Sequence, residues 1–109
     1  MNSKRKNNFL ILFILASLFG FAQKPAVYKI QDLLNRIHNN SDTIYVVNFW
    51  ATWCKPCVQE LPDFESFQRQ NKPGIVKIIL VSMDFKEDLE KKLVPFLEKN
   101  KYSPEVILL

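Results

Sequence analysis

Cys54 and Cys57 are the only cysteines of the 109-residue chain, spaced C-x-x-C within the stretch NFWATWCKPCVQELP at residues 48–62. Such a pair can bind a metal, form a structural disulfide or act as a reactive thiol pair. A structural zinc site needs four ligands, and the only histidine is His38. Covalent haem attachment needs a histidine where this chain has Val58. A structural disulfide across so short a loop would restrict the unfolded chain little, so the residues favour a reactive pair.

The residues around the two cysteines predict that their sulfurs differ in reactivity. An apolar run ends at Trp50, and the pattern becomes helical from about Cys54. Cys54 is therefore predicted at a helix N-terminus, where unpaired N–H groups and the helix dipole stabilise a thiolate. Lys55 adds a neighbouring cation, and Pro56 suits the first helical turn. We predict that Cys54 attacks, and that the more buried Cys57, one turn further along, resolves the mixed disulfide.

The stretch 48–62 resembles the active-site segment of thioredoxin-fold proteins, in particular the exported TlpA/ResA-like group, through the pattern N-F-W-A-T-W-C-x-P-C-x-x-E-x-P. The resemblance in layout extends from about Val27 to Leu109. It implies a thioredoxin-like fold and thiol–disulfide exchange, with Cys54 and Cys57 as a redox-active disulfide. No bound cofactor is required for this chemistry.

Two further residues of the motif, Asn48 and Glu60, are interpreted through the resemblance. Asn48 stands where cytosolic thioredoxins carry a buried aspartate, and asparagine is typical of the exported group. Glu60, three residues after Cys57, matches a glutamate of that group, which implies that its carboxylate relays the proton that Cys57 loses. From the residues alone, Glu60 is an ordinary solvent-facing side chain. Trp53 is predicted to cover the Cys54 sulfur and shape the contact surface, with a position in the core as the alternative, and Trp50 is predicted to be core.

The elements that position these residues follow from apolar periodicity. The pattern predicts an amphipathic helix over residues 27–38, with Ile30, Leu33, Leu34 and Ile37 on its apolar face. It predicts two further helices, 54–70 with a kink at Pro62 and 86–100 bent or interrupted at Pro95. Strands are predicted at 43–50, 75–83 and 105–109, the first two buried on both faces. This alternation indicates an α/β fold with parallel strands.

Residues 1–22 are predicted to be an export signal. Three cations at positions 4–6 precede an apolar run of 14 residues at 9–22, whereas a membrane-spanning helix needs about 20. An uncleaved membrane anchor is the alternative. Without this segment the chain carries 12 lysines and arginines against 11 acidic residues, so its charge does not favour nucleic-acid binding. Residues 23–109 then form one thioredoxin-like domain.

The resemblance also leaves some elements of the fold without a counterpart. Thioredoxin-like folds place a cis-proline loop opposite the cysteines, followed by two antiparallel strands and a final helix. No proline follows the predicted strand at 105–109. We therefore expect an N-terminal portion of the fold whose C-terminal ββα half is missing. We also expect EVILL to be an exposed apolar edge strand, and the domain to be marginally stable.

Together these observations predict an exported thiol–disulfide oxidoreductase of the periplasm or cell envelope. Its partners would be a disulfide-bearing protein substrate and an upstream membrane thiol reductant. Nucleic acid is not expected, and the membrane is contacted only through the N-terminal segment. Two alternatives stay open: a thioredoxin-like metal-delivery module, although such proteins usually combine C-x-x-x-C with a distal histidine, and a non-catalytic truncated relic.

Export predicts a defined mature N-terminus. Cleavage after Ala22 should leave Gln23, or its cyclised form, as the first residue of protein recovered from an envelope fraction. Mass spectrometry of the intact protein measures this directly. An intact Met1 on protein recovered from the cytoplasm would contradict the prediction.

Overall fold

The computed structural model describes residues 24–39, 42–72 and 74–109. The predicted signal segment lies outside these ranges. The described strands are β1 (Ala26–Val27), β2 (Ile44–Trp50), β3 (Val76–Ser82) and β4 (Glu105–Leu108), and the helices are α1 (Ile30–His38), α2 (Lys55–Gln70) and α3 (Val94–Asn100). None of the helices in these ranges has the length and apolar character needed to cross a bilayer.

The four strands form one parallel sheet in the order β1-β4-β3-β2. Helices lie in the connections between consecutive strands, as parallel pairing requires. The register of β2 on β3 runs without a break from Ile44 opposite Val76 to Trp50 opposite Ser82. The predicted α/β class with a parallel sheet is confirmed.

Two apolar clusters cover the two faces of the sheet, because successive side chains of β3 point to opposite sides. Ile78 and Leu80 belong to a cluster that also contains residues of α2 and of the third helical segment, residues 86–100. Ile79 and Val81 belong to a second cluster, which contains Leu33 of α1. The buried members of the first cluster are Trp50, Leu61, Ile78, Leu80, Leu93 and Leu108. Burying one such side chain fully contributes about 1.5–3 kcal/mol. Strand β3 supplies buried residues to both clusters.

The N-terminal region differs from the prediction of a single helix over 27–38. Ala26 and Val27 form β1, which pairs with Ile107 and Leu108 of β4, and α1 begins only at Ile30. Of the predicted apolar face, Leu33 is buried and Ile37 packs against the same cluster, but Ile30 and Leu34 are exposed. The sequence pattern could not reveal β1, because two residues are too few to show a strand periodicity and their extended conformation depends on pairing with β4.

Strand β2 forms close to its predicted position, but the prediction that both its faces are buried is wrong. In the part of the chain that the structure describes, β2 is bonded on one side only, by β3. Ile44 and Phe49 are therefore exposed, and only Trp50 is fully buried. Strand β3, which has partners on both sides, is buried from Ile78 to Ser82 as predicted.

The expectation that EVILL is an exposed edge strand is also wrong. β4 lies inside the described sheet, with β3 on one side and β1 on the other. Ile107 and Leu108 are fully buried. Strand β1, which pairs with the second edge of β4, precedes α1 and is far from β4 along the chain. The sequence pattern around residues 105–109 therefore could not identify this partner.

The third helical segment follows the predicted range but is not one regular helix. It starts as a 3₁₀ turn at Lys86–Asp88, passes through a π turn at Leu89–Leu93 and ends as α3. The π turn closes with the N–H of Val94 donating to the carbonyl of Leu89. Pro95 follows directly and has no N–H to donate, which favours an irregular ladder at this point. The interruption predicted at Pro95 is therefore present.

One ion-pair network ties α1 to the sheet. The Arg36 guanidinium donates to both carboxylate oxygens of Glu105, at 2.5 and 2.7 Å, and the Lys77 ammonium lies 2.8 Å from the same carboxylate. The bond from Arg36 lowers the pKa of Glu105 to about 2; partial burial opposes this shift, and Lys77 adds to it. The network joins α1, β3 and β4 on the side of the sheet that lacks α2.

We expect Glu105→Gln to lower the free energy of unfolding at pH 7 by about 1–2 kcal/mol. This is less than a fully buried pair would give, because the side chains of Arg36 and Glu105 stay partly solvated. The pKa of Glu105 is lower in the folded chain than the usual 4.5. Its stabilisation is therefore complete above that pH and is lost as pH falls towards 2.

Urea unfolding of both proteins at pH 7 and at about pH 3 measures this difference, which should shrink at the lower pH. Glu98→Gln, at an exposed position of α3, is the matched control. Equal stability of the wild type and Glu105→Gln at pH 7 would show that the network is not stabilising.

Candidate functional site

The two cysteines lie where the carboxyl end of β2 leads into α2. Trp50, the last residue of β2, is buried, and the next four residues form a turn in which the N–H of Cys54 donates to the carbonyl of Ala51 at 3.0 Å. Cys54 is the N-cap of α2. Its carbonyl accepts the first helical hydrogen bond, from Val58 at 3.0 Å. The predicted position of Cys54 at a helix N-terminus is confirmed.

Cys54 and Cys57 are joined by a disulfide, with 5.3 Å between their Cα atoms. Both are partly buried. Cys57 packs against the cluster formed around Trp50 and Leu61, a cluster that does not include Cys54. The disulfide thus has one sulfur-bearing residue anchored on the core and one at the helix terminus, which is the arrangement expected for a resolving and an attacking cysteine.

The electrostatic surroundings of Cys54 favour the thiolate that forms when the disulfide is reduced. The first N–H groups of α2 have no helical acceptors, and the helix dipole places partial positive charge at this end. Lys55 is exposed beside Cys54, Pro56 occupies the first turn, and that turn contains no acidic residue. We therefore predict that a thiolate at Cys54 is stabilised more than one at Cys57.

The other predicted site residues surround this disulfide at different depths. Asn48 is half-buried in β2, with its Cα opposite that of Leu80. Glu60 lies on α2, three residues beyond Cys57, and is exposed. Trp53 is 66% exposed and Trp50 is core, so the two tryptophans separate into a surface residue and a structural one. The proton-relay role of Glu60 and the contact role of Trp53 stay predictions.

A buried polar cluster that sequence reasoning missed lies directly beside the turn to Cys54. Asp84 is only 2% exposed, and Ser82 is fully buried. The Asp84 carboxylate accepts hydrogen bonds from the Thr52 hydroxyl at 2.5 Å, from the Thr52 N–H at 3.1 and 3.2 Å, and from the Ser82 hydroxyl at 2.7 Å. The Ser82 hydroxyl accepts in turn from the N–H of Asp84 at 3.1 Å.

This cluster joins the carboxyl ends of β2 and β3. The N–H of Met83 donates to the carbonyl of Trp50 at 2.7 Å, and the Thr52–Asp84 bonds follow one step further out. A sequence signal for the cluster existed. Asp84 directly follows the predicted strand 75–83, and polar residues at the carboxyl ends of adjacent parallel strands meet at one edge of the sheet.

Among the described residues, no group of three or more histidine, cysteine or acidic side chains is arranged to hold a metal ion. His38 lies at the end of α1, where its Nδ1 donates to the carbonyl of Leu34 at 2.8 Å.

Comparison with known proteins identifies the family. The family model for the AhpC/TSA family matches residues 9–107, which is most of the chain, so the protein belongs to this family. The chain is similar to thiol-disulfide oxidoreductase ResA of Oceanobacillus iheyensis, with 43% identity over 107 residues, covering 74% of this chain and 56% of the relative.

Two relatives from Bacillus subtilis match shorter segments. Sporulation thiol-disulfide oxidoreductase A is 32% identical over 63 residues, covering 58% of this chain and 38% of the relative. Thioredoxin-like protein YneN is 38% identical over 53 residues, covering 49% of this chain and 31% of the relative. The chain thus spans between about a third and just over half of the length of these relatives. No solved structure matches the chain significantly.

The asymmetry of the disulfide predicts which sulfur reacts first. In the reduced protein at neutral pH, iodoacetamide should alkylate Cys54 faster than Cys57, because Cys54 is the N-cap of α2 whereas Cys57 lies inside the first turn and packs on the core. Peptide mapping after brief labelling of the folded protein measures the two rates, and labelling in urea serves as the control in which the difference should shrink. Preferential labelling of Cys57 in the folded protein would reverse the assignment.

Proposed function

We propose that this AhpC/TSA family member is a thiol–disulfide oxidoreductase that acts on disulfides of other proteins. The observation that carries the proposal is the Cys54–Cys57 disulfide at the N-terminus of α2, with Cys57 packed on the core and Cys54 at the helix end. The names of the relatives support the same chemistry. The proposed redox-active residues are thus Cys54 and Cys57, with Lys55 and Pro56 as supporting residues.

In the reducing direction, the reaction begins with both cysteines reduced. The Cys54 thiolate attacks one sulfur of the partner's disulfide, forming a mixed disulfide while the partner's sulfur–sulfur bond breaks. The released partner sulfur leaves as a thiolate and takes up a proton. The N-terminus of α2 stabilises the Cys54 thiolate before the attack. The helix terminus therefore favours the reduced state, in which Cys54 carries a negative charge.

The second step regenerates the disulfide seen in the structure. Cys57 loses its proton and attacks the Sγ of Cys54, which breaks the mixed disulfide and releases the partner's second thiolate. Two electrons have then passed from the cysteine pair to the partner. Glu60, exposed three residues beyond Cys57, is proposed to accept the proton that Cys57 loses. Asn48 of β2 is not proposed for this step, because its amide side chain cannot accept a proton at working pH.

The exposed apolar side chains near the disulfide are proposed to contact the partner. Trp53 directly precedes Cys54 and is 66% exposed, and Met83 and Phe85, just after β3, are also exposed. The hydrogen bonds from Thr52 to Asp84 bring the backbones of these two segments together. A partner polypeptide with apolar residues beside its cystine would cover this surface.

The setting of the reaction is proposed from the sequence. Residues 1–22 would direct residues 23–109 out of the cytoplasm, as a cleaved signal or an uncleaved anchor, into the periplasm or cell envelope. There the Cys54–Cys57 disulfide would be returned to the dithiol by an upstream membrane thiol reductant, which supplies two electrons for each turnover.

Removal of the resolving thiol should trap the reaction halfway. In Cys57→Ser, Cys54 can still attack a protein disulfide, but no second sulfur releases the product. We therefore expect mixed disulfides to accumulate with a disulfide-bearing test protein such as insulin, visible on non-reducing gels. Cys54→Ser is the matched control and should accumulate far less. Equal trapping by both variants would contradict the proposed roles, and trapping by neither would contradict the proposed function.

The proton-relay role of Glu60 is testable through its pH dependence. Glu60→Gln should slow release of the mixed disulfide by about 100-fold where proton transfer limits the rate, and should displace the pH–rate profile. Glu87→Gln, at another exposed position, is the control. Single-turnover kinetics between pH 5 and 9 provide the measurement. An unchanged profile in Glu60→Gln would leave Glu60 as a surface residue.

A further inference from the structure

We propose that Thr52 and Asp84 are positioning residues that hold Cys54 at the N-terminus of α2. This inference deepens the proposed function, since it assigns the groups that make Cys54 the reactive sulfur of that same site. It rests on the hydrogen bonds between the turn that precedes Cys54 and the residue pair that follows β3.

The geometry ties the turn at both ends. Thr52 is the second residue of the turn from Ala51 to Cys54, whose ends are joined by the 3.0 Å bond from the N–H of Cys54 to the carbonyl of Ala51. Both the N–H and the hydroxyl of Thr52 donate to the Asp84 carboxylate. The turn is thus fixed to α2 through Cys54 and to the end of β3 through Thr52.

The buried state of Asp84 indicates that this fixation is firm. Burying a carboxylate is costly unless other groups compensate for the lost water. In the described parts of the chain, Asp84 has no ion pair with a lysine or arginine, and its compensation comes from Thr52 and Ser82. A shift of Thr52 would remove the donors to Oδ1 of this buried carboxylate and leave Oδ2 with the Ser82 hydroxyl alone, so displacement of the turn is opposed.

The position of Thr52 connects this fixation to reactivity. Stabilisation of a thiolate by a helix terminus falls off within one turn of the helix, so small displacements of Cys54 change it. Thr52 lies two residues before Cys54, and the intervening Trp53 is exposed and is not part of either packed cluster. The Thr52–Asp84 bonds, together with the buried Ala51 at the start of the turn, therefore limit movement of Cys54 away from the helix end.

The test compares Thr52→Val with Thr52→Ser in the full chain. Valine has the shape of threonine but lacks the hydroxyl donor, whereas serine keeps it. Neither substitution changes the charge of the protein. A changed alkylation rate would therefore report a changed position of Cys54 relative to the helix end and its charged neighbours. The measurement is the rate of Cys54 alkylation by iodoacetamide in the reduced, folded protein at neutral pH, beside the urea midpoint.

We expect Thr52→Val to slow alkylation of Cys54 by about twofold to fivefold, the range of charge stabilisation at a helix terminus, and Thr52→Ser to restore the wild-type rate. Thr43→Val is the matched control, because Thr43 precedes the opposite end of β2 and its hydroxyl donates to the carbonyl of Gly74. Its alkylation rate should equal that of the wild type. In an Asp84→Asn background, Thr52→Val should have a smaller effect, since the Thr52 hydroxyl acts through its bond to the Asp84 carboxylate.

Three results would overturn the proposal. The first is a lowered urea midpoint in Thr52→Val with an unchanged alkylation rate, which would make the pair a structural tie only. The second is an equal effect of Thr52→Val with and without Asp84→Asn. The third is a rate in Thr52→Ser as low as in Thr52→Val. If Asp84→Asn does not fold, the valine and serine variants decide alone. Alkylation needs no protein substrate, so failure of the proposed function would be a separate result.

Discussion

The parallel pairing of β2 with β3 determines where the chemistry of this protein lies. Parallel strands end at the same edge of a sheet, and here the register brings Trp50 opposite Ser82. Directly beyond that pair, Thr52 meets Asp84 and the chain turns into α2 at Cys54. A slip of one residue would reverse the faces of β3, and the burial of Ile78 to Val81 in two separate clusters opposes such a slip.

From this constraint follows the difference between the two sulfurs. Cys57 is carried into the core by the first turn of α2 and packs with the cluster around Trp50. Cys54 stays at the helix end, beside the exposed Trp53. One residue of the disulfide, Cys57, is therefore held by packing, and the other, Cys54, lies at the helix end. The buried carboxylate of Asp84 binds the turn that leads from β2 to Cys54.

Much of this arrangement could be predicted from the sequence, because it depends on local signals. The apolar run ending at Trp50, the helical pattern after Cys54 and the proline in the first turn together placed the cysteines correctly. The buried strand β3 and the interruption before Pro95 were also predicted. Each of these features follows from residues that are neighbours along the chain.

The features that were missed depend on contacts between distant segments. Val27 is extended because it pairs with Leu108, and β2 is partly exposed because the described sheet covers one of its edges only. EVILL was expected at an edge, but it lies between β1 and β3. Asp84 was not singled out from the sequence, and it lies beside Thr52 because of the register of β2 on β3.

The central claim is that the Cys54–Cys57 pair exchanges two electrons with protein disulfides. The most direct measurement mixes the reduced full chain with excess insulin and counts, in a single turnover, the Cys54–Cys57 disulfides gained and the insulin disulfides lost. The account predicts one insulin disulfide lost for each chain oxidised, and none lost with Cys54→Ser. Oxidation of the chain without an equal loss of insulin disulfides, or an equal loss with Cys54→Ser, would contradict it.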